Sequence, residues 1–218
     1  MNLLFDYDGT LHNCLLIYAP AFRAACSVLT REGLLPPLAA SDAEIGGWLG
    51  MPAPEMWRFF APFLPEKQQR RASQMVGDNM VAAIRRGEAQ LYPGAMEVLA
   101  GLKEAGNQLF FLSNCKRAYL AAHRAAFRLD DYFTACYCAE EFDWLTKAEI
   151  FPQIAAAYPG DFVVIGDRRH DMAVATAHGL PAIGCAYGYG TMDELRDAAY
   201  IAYDVKEIPA LVDRIARS

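Results

Sequence analysis

Four stretches of this chain end an apolar run with polar groups that could do chemistry together. In FDYDGT at 5–10, Asp6 and Asp8 are two residues apart, so an extended backbone sends both carboxylates to one face and Tyr7 to the other. Two acids that close either repel, which raises one pKa, or bind a cation, and both outcomes suit catalysis. Gly9 permits a turn and lets a ligand approach backbone amides. A plain acidic turn after a strand would carry the same residues. FLSN at 111–114 places Ser113 and Asn114 just before a helix beginning near Lys116, where a hydroxyl and helix-start amides could face a phosphate, or simply cap the helix. Lys147 precedes the helical pattern AEIFPQIAAAY and alone would read as a surface lysine. VVIGDRRHD at 163–171 ends a strand in Gly166 and Asp167, with Asp171 in the first turn of the next helix. Carboxylates there suit the helix dipole, and as hard oxygen donors they also suit Mg2+.

The elements that must position these groups follow from hydrophobic periodicity. LLFDY at 3–7 reads as a buried strand, and from about Ala19 to Gly87 the pattern is helical, with Ser41, Pro54 and Pro65 as start signals. After Tyr92-Pro93-Gly94, helices and short apolar strands alternate: AMEVLAGLKEAG, QLFFLSN, RAYLAAHRAAF, YFTACYC, AEIFPQIAAAY, DFVVIGD, DMAVATAHG and PAIGCAYG. A short helix TMDELRDA, an edge strand AYIAYD and a closing helix VKEIPALVDRIAR follow. The fold class is α/β, a doubly wound parallel Rossmann-like sheet with an inserted all-helical cap. The boundaries read as residues 1–14 with 91–218 for the sheet domain and 15–90 for the helical insert. Ligands of such sheets bind beyond the carboxyl ends of the strands, where all four stretches fall.

At 218 residues and 54% hydrophobic composition the chain can bury a sizeable core. A formal net charge of -6 without a Lys/Arg block argues against nucleic-acid or anionic-membrane surfaces, so the expected partner is a small molecule. MNLLFDYDGT lacks a basic n-region and an apolar core, and CLLIYAPAFRAACSVL, interrupted by Arg23, is too short to span a membrane. The six dispersed cysteines read as reduced thiols, and a cytoplasmic protein, alone or as a small homo-oligomer, is expected. Cys136-x-Cys138 is too isolated for a zinc site, and His12, His123 and His178 show no partner cluster and read as structural. His170 could be structural or functional.

DYDGT, LSN, the following lysine and GDxxxD, in that order, resemble the haloacid dehalogenase superfamily of phosphatases. The likeness runs from Leu3 to about Tyr189, and the helical insert resembles that family's small cap. YPGAMEVLAGLKEAG, GDRRHDM and AYGYG are similar to the branch with phosphoglycolate phosphatase, β-phosphoglucomutase and several nucleotide and pyrophosphate phosphatases. The resemblance implies a phosphomonoesterase acting on a small phosphate ester, with Asp6 as nucleophile and Asp8 as general acid and then base. It implies Mg2+ held by Asp6, the Asp8 carbonyl and Asp167, with Asp171 as ligand or support. Ser113 and Lys147 would bind phosphoryl oxygens, helped by amides near Gly9 and Asn114. The glycine-rich break 46–52 resembles the family's specificity loop, where Trp48 and Met51 would touch the leaving group or else pack in the cap core. Asn13 in place of Asp, Tyr7 in place of Leu or Phe, and Ala148 in place of Pro depart from the common pattern. Competing expectations are dehalogenase chemistry, which the second acid Asp8 argues against, a phosphomutase, and a receiver-like binding domain.

Overall fold

The computed structural model describes residues 1–49, 51 and 53–217 of the chain. They form two compact units, 1–13 with 91–218, and 14–90. The first unit is built on six parallel strands in the order β3-β2-β1-β4-β5-β6. These are β1 (Asn2–Phe5), β2 (Gln108–Ser113), β3 (Ala135–Cys138), β4 (Phe162–Gly166), β5 (Ala182–Cys185) and β6 (Tyr200–Ala202). The order runs outward in both directions from β1, so the chain switches sides of the sheet between β1 and β4, where a crevice opens beyond the strand ends. Phe5 pairs with Phe111 on one side and Ile165 on the other, which aligns the ends of β1, β2 and β4.

The strands read as near-continuous apolar runs because helices cover both faces. On one face Leu4, Phe110, Leu112, Phe162 and Val164 pack against Ile150, Phe151 and Ile154 of α7 (Lys147–Ala157) and Met172, Val174 and Ala175 of α8 (Arg169–His178). The unit also contains α5 (Ala95–Glu104), α6 (Arg117–Phe127) and α9 (Ile208–Ala216), of which α5 buries Val98, Leu99 and Leu102. The fold class expected from the sequence, an α/β parallel sheet, is the one observed.

Several boundaries differ. Lys147 is the first residue of α7 rather than the residue before it, because Thr146 and Glu149 form the capping box that starts the helix. Residues 191–198, expected to be a helix, form turns instead. There the Glu194 carboxylate accepts from the Thr191 amide and pairs with Arg168, so the segment is held through side chains rather than a helical ladder. The closing helix begins at Ile208, after a 3-10 turn over Val205–Glu207.

Residues 14–90 contain only helices among their described elements: α1 (Leu15–Arg31), α2 (Asp42–Gly46), α3 (Ala53–Phe60) and α4 (Glu66–Arg85). Helix α1 starts earlier than expected and carries Pro20 inside it. It packs along α4, and Ser41 caps α2 through a capping box with Glu44. The aromatic rings of Phe22, Trp48, Trp57 and Phe60 pack on one another with centroids 5.1–5.7 Å apart.

Candidate active site

The crevice between β1 and β4 gathers charged groups from four elements. Asp6 follows β1, and its backbone amide still donates to Ile165 at 2.8 Å, which ties it to the β4 edge. Asp167 follows β4, Asp171 sits in the first turn of α8, and Lys147 opens α7. The Lys147 ammonium donates to Asp6 Oδ1 at 2.5 Å and Asp171 Oδ1 at 2.6 Å, and all three side chains are buried. Asp171 Oδ2 accepts the Arg168 amide at 3.0 Å, so it serves both as capping-box acid and as lysine partner. The Tyr189 amide donates to Asp167 Oδ2 at 2.7 Å.

These contacts set the electrostatics. Burial works against the Lys147 ammonium, but Asp171 and Asp6 outweigh it and raise its pKa. Burial, followed by the charge of Asp171, lifts Asp6 to about 7 against the pull of Lys147. Burial, then Asp6 and Asp171, raise Asp167 well above the ordinary carboxylate range. One ammonium thus cannot keep all three acids ionised together, and Asp6 and Asp167 hold their protons more tightly than ordinary carboxyls do. Asp6, Asp167 and Asp171 each offer an oxygen within 4.8 Å of the others, a hard donor set that fits a small divalent cation.

Glycines make room for this cluster. Gly9 has φ +91°, and a Cβ there would lie 2.2 Å from Asp167 Oδ2. A Cβ at Gly166 would lie 2.2 Å from Asp171 Cγ, and at Gly188 2.4 Å from Asp167 Cβ. Asp167 can therefore come this close only to residues without side chains. That gives Gly9 a different use from the one expected, because its amide donates to the His12 carbonyl at 2.9 Å rather than facing outward.

Asp8 has different partners from Asp6. Its Oδ1 lies 2.8 Å from His12 Nδ1 and accepts from the Tyr119 hydroxyl at 2.7 Å. Burial would raise its pKa, but the His12 and Tyr119 hydrogen bonds hold it below the ordinary value. His12 and His123, which show no cluster in the sequence, belong to one with Tyr7 and Tyr119, and the Tyr7 hydroxyl bonds His123 Nδ1 at 2.8 Å. That bond gives the buried Tyr7 hydroxyl a partner. Asn13, a departure from the common pattern, accepts from the Tyr189 hydroxyl at 3.0 Å.

Ser113 is buried at the end of β2 and Asn114 is exposed beside it. Neither caps α6, since Lys116 holds the cap position and the Arg117 amide donates to Glu140. His178 Nε2 lies 2.8 Å from the Ala148 carbonyl, a structural contact. Trp48 and Met51 are half-buried, and Trp48 packs on Phe22 and Phe60 within its own unit. Gly50 and Pro52 of the same break lie outside the described residues.

The model of the haloacid dehalogenase-like hydrolases matches residues 1–179. The chain belongs to that family. This haloacid dehalogenase-like hydrolase is 27% identical over 201 residues to a 5'-nucleotidase of Pseudomonas aeruginosa, an alignment covering 89% of the chain and 86% of that protein. It is also 27% identical over 201 residues to a phosphoglycolate phosphatase of Yersinia pestis, covering 86% and 82%. In fold it is similar to a haloacid dehalogenase-like family protein from Streptococcus pneumoniae, with a TM-score of 0.79 at 24% identity over 97% of each chain. No helix among the described residues is long and apolar enough to cross a membrane.

Proposed function

We propose that this hydrolase is a magnesium-dependent phosphomonoesterase that attacks a small phosphorylated metabolite with Asp6 and passes through an aspartyl phosphate. The observation that carries this reading is the buried cluster at the β1–β4 switch, where three carboxyl groups, Asp6, Asp167 and Asp171, converge on the single ammonium of Lys147. Such a site is prepared for a cation and for a nucleophile fixed in orientation.

An Asp6 oxygen forms the bond to phosphorus while the bond from phosphorus to the leaving oxygen breaks and its electron pair departs with that oxygen. Asp8, an anion in the free site, takes up a solvent proton when the anionic ester binds beside it and gives that proton to the leaving oxygen; in the second step it takes one from the water that attacks phosphorus and frees Asp6. Lys147 orients Asp6, and with Ser113 and amides near Asn114 it binds phosphoryl oxygens. Asp6, the Asp8 carbonyl, Asp167 and Asp171 would hold Mg2+, which when bound offsets the repulsion between an anionic nucleophile and an anionic phosphate. Asp8 favours this chemistry over dehalogenation, because a halide leaves without a proton whereas an alkoxide needs one, which a second carboxyl can supply.

Relatives named as phosphoglycolate phosphatase and 5'-nucleotidase support two leaving groups, a short hydroxy acid and a nucleoside. The strand-end residues recognise the phosphate common to both, so we assign selectivity to the helical unit as a cap, at Trp48 and Met51. Six cysteines present as free thiols suit the reducing cytoplasm.

Hydrolysis of p-nitrophenyl phosphate, phosphoglycolate and a nucleoside 5'-monophosphate, with Mg2+, after chelation and after re-addition, tests the reading. Chelation should stop turnover, Mg2+ should restore it, and Asp167→Asn should cost about a hundredfold or more. Trp48→Ala should change the ranking of the two natural esters by kcat/KM. Full activity after exhaustive chelation would overturn the metal reading, and an equal loss on all esters would make Trp48 structural.

A further inference from the structure

The turn after β1 folds back on itself, with the amides of Thr10, Leu11 and His12 all donating to the Tyr7 carbonyl at 2.8–3.2 Å. This brings the His12 ring back to Asp8, four residues earlier, and stacks it on Tyr7 with centroids 5.3 Å apart and planes 18° from parallel. Tyr119, from α6, reaches the same carboxylate oxygen. Both bonds end on Asp8 Oδ1, and Oδ2 has no hydrogen-bond partner among the described residues.

The rings behind this pair are locked. His123 meets His12 and Tyr119 edge to face, each at 4.4 Å, and stacks on Phe127 at 5.8 Å. His12 and His123 are wholly buried. Neither Nε2 atom has a hydrogen-bond partner among the described residues. The tautomer of His12 follows from its neighbours: Nδ1 faces a carboxylate and therefore carries the proton, while Nε2 faces the packed rings. A carboxylate with one oxygen bonded twice cannot rotate without breaking both bonds.

We infer that His12 and Tyr119 are positioning residues for Asp8, anchoring Oδ1 so that Oδ2 is the oxygen that carries the proton to and from the reacting ester. This inference rests on the proposed acid and base role of Asp8. In the first step the Oδ2 proton passes to the leaving oxygen as its bond to phosphorus breaks, and in the second Oδ2 receives a proton from the attacking water. His12 and Tyr119 keep their own protons throughout. The anchor matters in proportion to how much the leaving group needs that proton, and a purely structural cluster would show no such dependence.

The test compares kcat/KM for n-propyl phosphate, whose alkoxide must be protonated as it leaves, with that for p-nitrophenyl phosphate, whose phenolate need not be. Tyr119→Phe keeps the ring and removes the hydroxyl, His12→Leu removes the Nδ1 donor, and His12→Asn keeps an N–H near it. Tyr119→Phe and His12→Leu should each lose about tenfold or more on n-propyl phosphate and much less on p-nitrophenyl phosphate, and His12→Asn should recover most of the loss. Both losing variants should also show a burst of p-nitrophenol before a slow steady state, since the second step still needs a placed base. Asp8→Asn is the reference. If it lowers both esters equally, the acid and base role of Asp8 fails, and the inference with it. If Asp8→Asn is selective but Tyr119→Phe and His12→Leu lower both esters in equal proportion, or not at all, the positioning role is overturned while the role of Asp8 stands. Should His12→Leu not fold, the near-isosteric Tyr119→Phe decides alone.

Discussion

Lys147 holds Asp6 and Asp171 with a single ammonium, so its contribution depends on how far those acids are ionised. An Asp6 carboxyl lifted to about 7 keeps its proton in the folded chain over a range where an unfolded aspartate, near 3.9, has lost its own. The folded state then binds more protons than the unfolded one, and stability of the metal-free protein falls as pH rises from about 4 to about 7. Lys147→Met removes the opposing charge, raises the Asp6 carboxyl further and extends that fall to higher pH. Urea unfolding under chelation should therefore show Lys147→Met more destabilising at pH 8 than at pH 5, and an equal effect at both would contradict the charge account. The acids of this site are legible in the sequence because each ends an apolar run or opens a helix. The tuning of Asp8 is not legible, since the aromatic layer behind it pairs Tyr7 with His123, 116 residues away, and periodicity carries no record of such pairings. Gly188 and Gly190 enter the sequence reading only as part of the strand PAIGCAYG and the AYGYG stretch, and that their missing side chains make room for Asp167 is not legible there.

At the scale of elements, Lys147 is delivered by the start of α7. Thr146 Oγ1 accepts from the Glu149 amide at 3.3 Å, and Glu149 Oε2 accepts from the Thr146 amide at 2.9 Å. Thr146→Ala should cost about 1 kcal/mol of stability, as loss of a cap side chain commonly does. Turnover should hold near the wild-type rate, because Lys147 is fixed by two ion pairs and not by the cap. Urea unfolding and steady-state kinetics check both halves, and a large fall in kcat at unchanged stability would show that the cap itself places the ammonium. Strand and helix identities mostly follow from pattern, while helix starts shift by one residue at α7, three at the closing helix and about four at α1. At 191–198 an amphipathic pattern is overridden altogether, because Glu194 turns to Arg168 and to the Thr191 amide.

At the scale of the whole molecule, the chain is divided between a parallel sheet and an inserted helical unit. The division is legible because strict alternation of strand and helix is absent from 14–90 and resumes after Tyr92-Pro93-Gly94. The sheet unit carries the groups that handle the phosphate, and our account assigns the leaving group to the helical unit. What joins the account together is a covalent bond between Asp6 and phosphorus. Rapid quenching of the magnesium-loaded protein with a 32P-labelled ester, followed by peptide mapping, measures that bond directly. The account predicts acid-stable, base-labile label on the peptide that contains Asp6, formed within the first turnover and absent from Asp6→Asn. Label on another residue, or first-turnover label that persists in a folded Asp6→Asn protein, would contradict it.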